Sequence, residues 1–207
     1  MNNFKFIYLI ILSLLLLFIF EYLIEYDKLY ISSISEILTY AQIEKIIEFQ
    51  SKWIWVKYVI TPLLLLLKIS IIAAIIDIGC FFFSKEIKYK ILFNIVVKAE
   101  FIFLLVIIFK IVWFYIFQPD YTLEDLQYFY PLSALNIVGY QSLKAWFVYP
   151  FQVLNIFEVA YWFVLAYLIG KEINETTDKG LSIVASSYGV GLLIWVVGVM
   201  FLTLNMS

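Results

Sequence analysis

The segment YPFQVLNIFEVAYWFVLAYLIG, residues 149–170, is hydrophobic except for an acid, Glu158, near its middle. At about 1.5 Å per helical residue it is just long enough to cross the roughly 30 Å hydrocarbon core of a bilayer, so it predicts a transmembrane helix. A carboxylate at that depth costs at least about 2.5 kcal/mol on insertion scales, and it should face protein or water, or be protonated. Asn155, one turn earlier on the same face, can supply a hydrogen bond, but a compensating charge must come from another helix.

The composition indicates a single membrane domain over residues 1–207. Apolar residues make up 65% of the chain and charged residues only 14%, a ratio that no soluble domain of this length needs. The cations are 14 Lys with no Arg and no His, and the formal charge is −2, which argues against direct nucleic-acid binding. Because Cys80 is the one cysteine, it can form neither an internal disulfide nor a thiolate metal site, and we expect a buried apolar residue, with lipidation as the alternative.

The apolar runs predict an all-α, polytopic transmembrane bundle of about five spans, with an amphipathic helix at the membrane interface. The first run is expected to be retained, because no small-residue cleavage site follows it. The predicted spans cover residues 4–24, 53–83, 91–117, 149–170 and 181–204.

Two more polar connections separate these spans. In the first, Ser33 and Glu36 have capping-box spacing, and apolar residues then recur at helical intervals, which predicts an amphipathic helix over about 33–50. That helix lies on the membrane or bundle surface, or binds a partner. The second connection, 118–148, is rich in aromatic residues and predicts half-embedded pieces at the interface, with a re-entrant element as the alternative.

Several ionisable side chains fall within the second and third spans: Lys68, Asp77, Lys98, Glu100 and Lys110. Lys68 and Asp77 lie on opposite faces of one helix and cannot pair with each other. Lys98 and Lys110 flank the centre of their helix, so each can snorkel to its nearer surface. Alternatively, one of them is the counter-ion of Glu158 or Asp77. Together with Asn155 and Glu158, these side chains form the predicted intramembrane polar site.

The last span carries small residues at helical spacing. Ser187, Gly191 and Gly198 give one face that is smooth enough for close helix packing. This face packs inside one subunit or forms a subunit interface.

The lysine distribution predicts the orientation. With five spans, the N-terminal side collects six lysines, against four on the other side. The six are Lys5, Lys85, Lys88, Lys90, Lys171 and Lys179, and the four are Lys28, Lys45, Lys52 and Lys144. The positive-inside rule then puts the N-terminus in the cytoplasm and both long connections outside it, as expected for a multi-pass protein of a bacterial inner membrane.

The motifs of common enzyme classes are absent from the sequence. It has no nucleotide-binding glycine loop, HExxH, Ser/His pair or CxxC, so we expect no enzymatic activity, no cofactor and no metal. Asp77 and Glu158 resemble the paired acids of intramembrane aspartyl proteases only in number, because the second acid is a Glu within FEVA rather than an Asp.

Three segments carry a family resemblance: Pro131-Leu132-Ser133, YPFQVLNIFEVAYW (149–162) and SYGVGLLIW (187–195). They resemble the small five-span bacterial proteins grouped with the Yip family, which implies a role in membrane organisation. By size, span number and Lys/Ile-rich composition, the chain is also similar to the membrane accessory proteins of type VI-B CRISPR RNA-guided RNases. That resemblance implies a role in antiviral defence through the membrane or a partner.

Two classes of function follow. In the first, several copies assemble through the last helix around a polar path, and an oligomeric channel results. In the second, the protein is an accessory subunit that binds a protein partner, and the buried charges fix which helices pair. In both classes the partners are the lipid bilayer and either further copies or another protein.

Overall fold

The computed structural model describes residues 4–35 and 37–206. Within these ranges the chain is helical and contains no strand, with eleven α-helices. The helices are α1 (Phe4–Leu23), α2 (Tyr26–Ser35), α3 (Tyr40–Phe82), α4 (Tyr89–Glu100), α5 (Ile102–Val112), α6 (Leu123–Tyr128), α7 (Ala134–Val138), α8 (Ala145–Val153), α9 (Ile156–Glu172), α10 (Thr177–Val184) and α11 (Val190–Met206). Turns of π-helix at Trp113–Phe117 and Ala185–Gly189 continue α5 and join α10 to α11.

Four helical segments in the described part of the chain are long and apolar enough to cross a membrane. They are Phe4–Leu23, Tyr40–Phe82, Tyr89–Phe117 and Thr177–Met206. The all-α class and the presence of membrane-spanning helices, both predicted from the sequence, are therefore confirmed.

The region of the predicted amphipathic helix, 33–50, is divided differently in the structure. α2 ends and α3 begins within it, and α3 then continues to the end of the predicted second span without a break near residue 53. The start of α3 is fixed by a capping box between Thr39 and Gln42. The capping box predicted from Ser33 and Glu36 cannot be compared, because Glu36 lies outside the described residues.

The segment 149–170 is two helices rather than one. α8 ends at Val153 and α9 begins at Ile156, with Leu154 and Asn155 in extended or irregular conformation between them. Neither helix reaches the length of the four segments above. The physical reason is that Asn155 is a strong N-cap residue, and its side chain accepts a hydrogen bond from the Glu158 amide at 2.8 Å.

The core lies where α3, α4, α9 and α10 meet. α10 packs closely on α9, since a Cβ on Gly180 would lie 2.0 Å from the Ala166 carbonyl oxygen. At the neighbouring contact, a Cβ on Gly79 of α3 would lie 2.5 Å from the Ser187 Cβ. α1 and α11 expose most of their apolar side chains, as helices that face acyl chains or further subunits do.

Candidate intramembrane binding site

The break between α8 and α9 is held by the second connection. Ser133 and Asn155 form an isolated β-bridge, in which the Ala134 amide donates to the Leu154 carbonyl at 2.8 Å and the Ile156 amide donates to the Leu132 carbonyl at 3.2 Å. These bonds satisfy backbone groups that the interrupted helix leaves free, which is the condition for irregular backbone at membrane depth. The first turn of α9, and with it Glu158, is thereby fixed against the connection.

Glu158 lies in this first turn and is half-buried. Its Oε1 accepts hydrogen bonds from Trp162 Nε1 at 3.0 Å and from the Tyr188 hydroxyl at 2.7 Å. Tyr188 belongs to the π-helical turn between α10 and α11, a distortion that is frequent at functional sites. The Trp162 ring lies so close to Gly189 that a Cβ there would come within 2.5 Å of it. One helix, α9, and the π turn therefore position the two donors.

The nearby lysine is already paired with another acid. Lys68 of α3 forms an ion pair with Glu100, the last residue of α4, and its ammonium lies 4.3 Å from the centroid of the Phe103 ring. Glu100 is only 3% exposed. Its second oxygen, Oε2, is buried without a hydrogen-bond partner in the described structure. The polar centre of the bundle thus contains two carboxylates, Glu100 and Glu158, and one lysine.

The remaining predicted site residues do not join this centre. Lys110 donates to the Leu126 carbonyl at 3.0 Å and so holds the second connection. Lys98 is exposed and Asp77 half-buried, and neither forms a hydrogen bond or ion pair with a residue that the structure describes. No ion pair among the described residues joins Lys98 or Lys110 to Glu158 or Asp77, contrary to the counter-ion alternative.

A large cavity opens beside Glu158. Its volume is about 1480 Å³. Its walls come from the end of α5 with the π turn that continues it, the second connection, the break, α9 and the first part of the last helical segment. Most lining side chains are apolar or aromatic, among them Trp113, Phe163 and Leu192. Ser133, which also lines the cavity, is 2% exposed. Its Oγ has no hydrogen-bond partner among the residues described.

The negative charge of Glu158 reaches the second connection. Burial raises the pKa of Tyr130, between α6 and α7, to about 12, and the nearby Glu158 carboxylate acts in the same direction. No lysine occurs among the residues that line the cavity, whereas Asp125 and Glu158 both do. Asp125 is engaged by the capping box with Thr122, so Glu158 is the acid that faces the cavity without a full set of partners.

The predicted helix-packing residues have separate environments. Ser187 packs on Gly79, and a Cβ on Gly191 would lie 3.1 Å from Ile75, so both contact α3 of the same chain. Gly198 has open space on its side of α11. Ser187 and Gly191 therefore pack within the chain. Of the three residues, Gly198 is the one whose face of α11 is free to contact another subunit.

The break was missed from the sequence, although a local signal existed. Asn155 and Glu158 have the spacing of an N-cap residue and the acid that follows it in a capping box, and Pro150 precedes them. The pairing of Lys68 with Glu100 had no such signal, because the two residues are 32 positions apart.

Among residues 4–35 and 37–206, no three His, Cys, Asp or Glu side chains are arranged to hold a metal ion. In comparisons with known proteins, the chain matches no family model, no curated protein and no solved structure.

Proposed function

We propose that the protein is a non-enzymatic integral membrane accessory protein that binds a ligand or partner segment in the cavity beside Glu158. The observation that carries the proposal is a carboxylate without a lysine partner on the wall of an apolar cavity, held there by a helix break. Broken helices that expose polar groups at membrane depth are typical of binding sites in membrane proteins.

The arrangement favours binding over conduction. A channel needs polar groups in succession along a path, but Lys68 is engaged by Glu100, Lys110 by the connection, and Lys98 is on an exposed face. The cavity wall itself is largely apolar. We therefore place the oligomeric channel second and expect any self-association to occur outside the cavity, through the exposed outer half of α11.

We also propose a five-span arrangement in a bacterial inner membrane, with a cytoplasmic N-terminus. In this arrangement α8 and α9 together form the fourth crossing, with their break inside the bilayer. The six-to-four distribution of lysines on the two sides supports the orientation. Reporter domains fused to the C-terminus test the count, because five crossings put the two termini on opposite sides, and four crossings with a re-entrant α8–α9 pair put them on the same side.

Ion flux separates the two functional classes. Purified protein in liposomes should give no flux above that of empty liposomes, and Glu158→Gln should not change this result. A flux that appears with the protein and falls in Glu158→Gln would favour the channel and overturn our proposal.

Binding to the cavity is tested with a neutral hydrophobic fluorophore, N-phenyl-1-naphthylamine, in detergent micelles with and without the protein. Ala185 is exposed and lines the cavity, so Ala185→Trp should fill it and weaken binding. The matched control is Ala74→Trp on the exposed side of α3, outside the cavity, which should bind as the unaltered protein does. Equal binding by both variants would contradict a ligand site here.

The resemblance to type VI-B accessory proteins gives the accessory role one concrete form. Because the chain has no Arg and no His, such a role would proceed through the membrane or the RNase rather than through RNA contacts. Co-expression with a type VI-B RNase should then change protection against phage, and Glu158→Gln should abolish the change at equal protein level. The Yip-like alternative, a role in membrane organisation, predicts no dependence on the RNase.

A further inference from the structure

The polar centre of the bundle has one positive charge too few. Glu100 and Glu158 are both acids, and Lys68 forms its ion pair with Glu100. No ion pair among the described residues includes Glu158. Its two side-chain hydrogen bonds both reach Oε1, and Glu158 lines the cavity.

Several features stabilise negative charge on Glu158, but not completely. Trp162 and Tyr188 donate hydrogen bonds, and the first turn of α9 is the positive end of the helix dipole. The surrounding apolar wall nevertheless makes a carboxylate costly, since an unpaired charge in such a medium loses its hydration. A cation in the cavity would offset that cost.

We propose that the cavity binds a hydrophobic organic cation, with its ammonium or phosphonium group against Glu158. This inference rests on the proposed function, in which the cavity is a binding site. It adds the chemical class of the ligand that the cavity binds. An apolar body would fill the cavity. Aromatic rings on its wall, including Trp113, Tyr128 and Trp162, add the attraction of their faces for a positive charge.

Charge and size exclude other classes of ligand. An anion would meet Glu158 and Asp125 and no lysine on the wall, so it would be repelled. A small hydrated cation would lose water to a largely apolar surface that offers few oxygen ligands. The volume, about 1480 Å³, exceeds the roughly 300–1,000 Å³ of ordinary small-molecule pockets, which favours a bulky hydrophobic cation.

The test compares two ions of nearly equal size and opposite charge, tetraphenylphosphonium and tetraphenylborate. Binding is measured by equilibrium dialysis against protein in dodecyl maltoside, a neutral detergent, and against detergent alone. We expect saturable binding of tetraphenylphosphonium and none of tetraphenylborate beyond the detergent background. Equal binding of the two ions would overturn the proposal, and this arm requires no variant.

The variants locate the charge. Glu158→Gln should weaken tetraphenylphosphonium binding by at least about tenfold, the loss of one charge-assisted contact, whereas Glu158→Asp should retain part of it. Asp77→Asn, which removes an acid from the neighbouring α3 outside the cavity, is the matched control and should bind normally. Unchanged binding in Glu158→Gln, with helix content preserved by circular dichroism, would also overturn the proposal.

The neutral fluorophore distinguishes the two levels of inference. If Ala185→Trp weakens fluorophore binding but tetraphenylphosphonium has no advantage over tetraphenylborate, the cavity is a binding site and only the ligand class is wrong. If the fluorophore does not bind to the cavity either, the proposed function fails with it.

Discussion

The ion pair between Lys68 and Glu100 should respond very differently to removal of its two partners. The Lys68 side chain is 46% exposed, whereas Glu100 is 3% exposed. Lys68→Met leaves a buried, uncompensated carboxylate, and breaking a buried pair in this way costs about 3–5 kcal/mol of unfolding free energy. Glu100→Gln leaves a lysine that can extend to a surface, so its cost should be about 1 kcal/mol or less.

The double variant Lys68→Met/Glu100→Gln removes the charge and its partner together. It should recover at least about 2 kcal/mol relative to Lys68→Met, since replacing both members of a buried pair is close to neutral. Unfolding by sodium dodecyl sulfate in mixed micelles, followed by circular dichroism, measures all four proteins under one condition. The reasoning is refuted if the two single variants are equally destabilised, or if their costs simply add in the double variant.

Three further predictions concern packing, capping and charge. Gly180→Ala should lower the unfolding free energy by more than about 1 kcal/mol, as overpacking does, because its Cβ would meet the backbone of α9. Gly198→Ala should be neutral or slightly stabilising, because open space surrounds that position. Thermal unfolding in detergent compares the two variants. Asn155→Ala should cost about 1 kcal/mol through loss of the α9 cap, measured in the same way. The hydrogen bond from Lys85 holds the pKa of Glu175 below its usual range. The pair therefore stabilises the folded protein above the ordinary glutamate pKa, and this stabilisation is lost as the pH falls through the lowered pKa of Glu175 in the folded state. Lys85→Gln should return that pKa toward the ordinary range in an NMR titration, and an unchanged pKa would contradict the pairing.

Helical class and membrane insertion followed from local properties of the sequence. Runs of about twenty apolar residues need no knowledge of their neighbours to predict helices that can cross a bilayer. The span predicted over 4–24 matches α1, and the last span falls within Thr177–Met206. Four of the residues assigned to the predicted polar site, Lys68, Glu100, Asn155 and Glu158, lie around one centre or at the break beside it; that they form a functional site stays a prediction.

The tertiary structure alone decided how these groups are paired and where the backbone is interrupted. Hydropathy depends on residue type and length, but ion pairing depends on the rotation and depth of each helix against the others. Lys68 therefore paired with Glu100, while Lys98 turned outward on an exposed face of α4. The break at Leu154 and Asn155 likewise required the second connection to supply backbone partners. A contact between segments more than twenty residues apart cannot be read from either segment by itself.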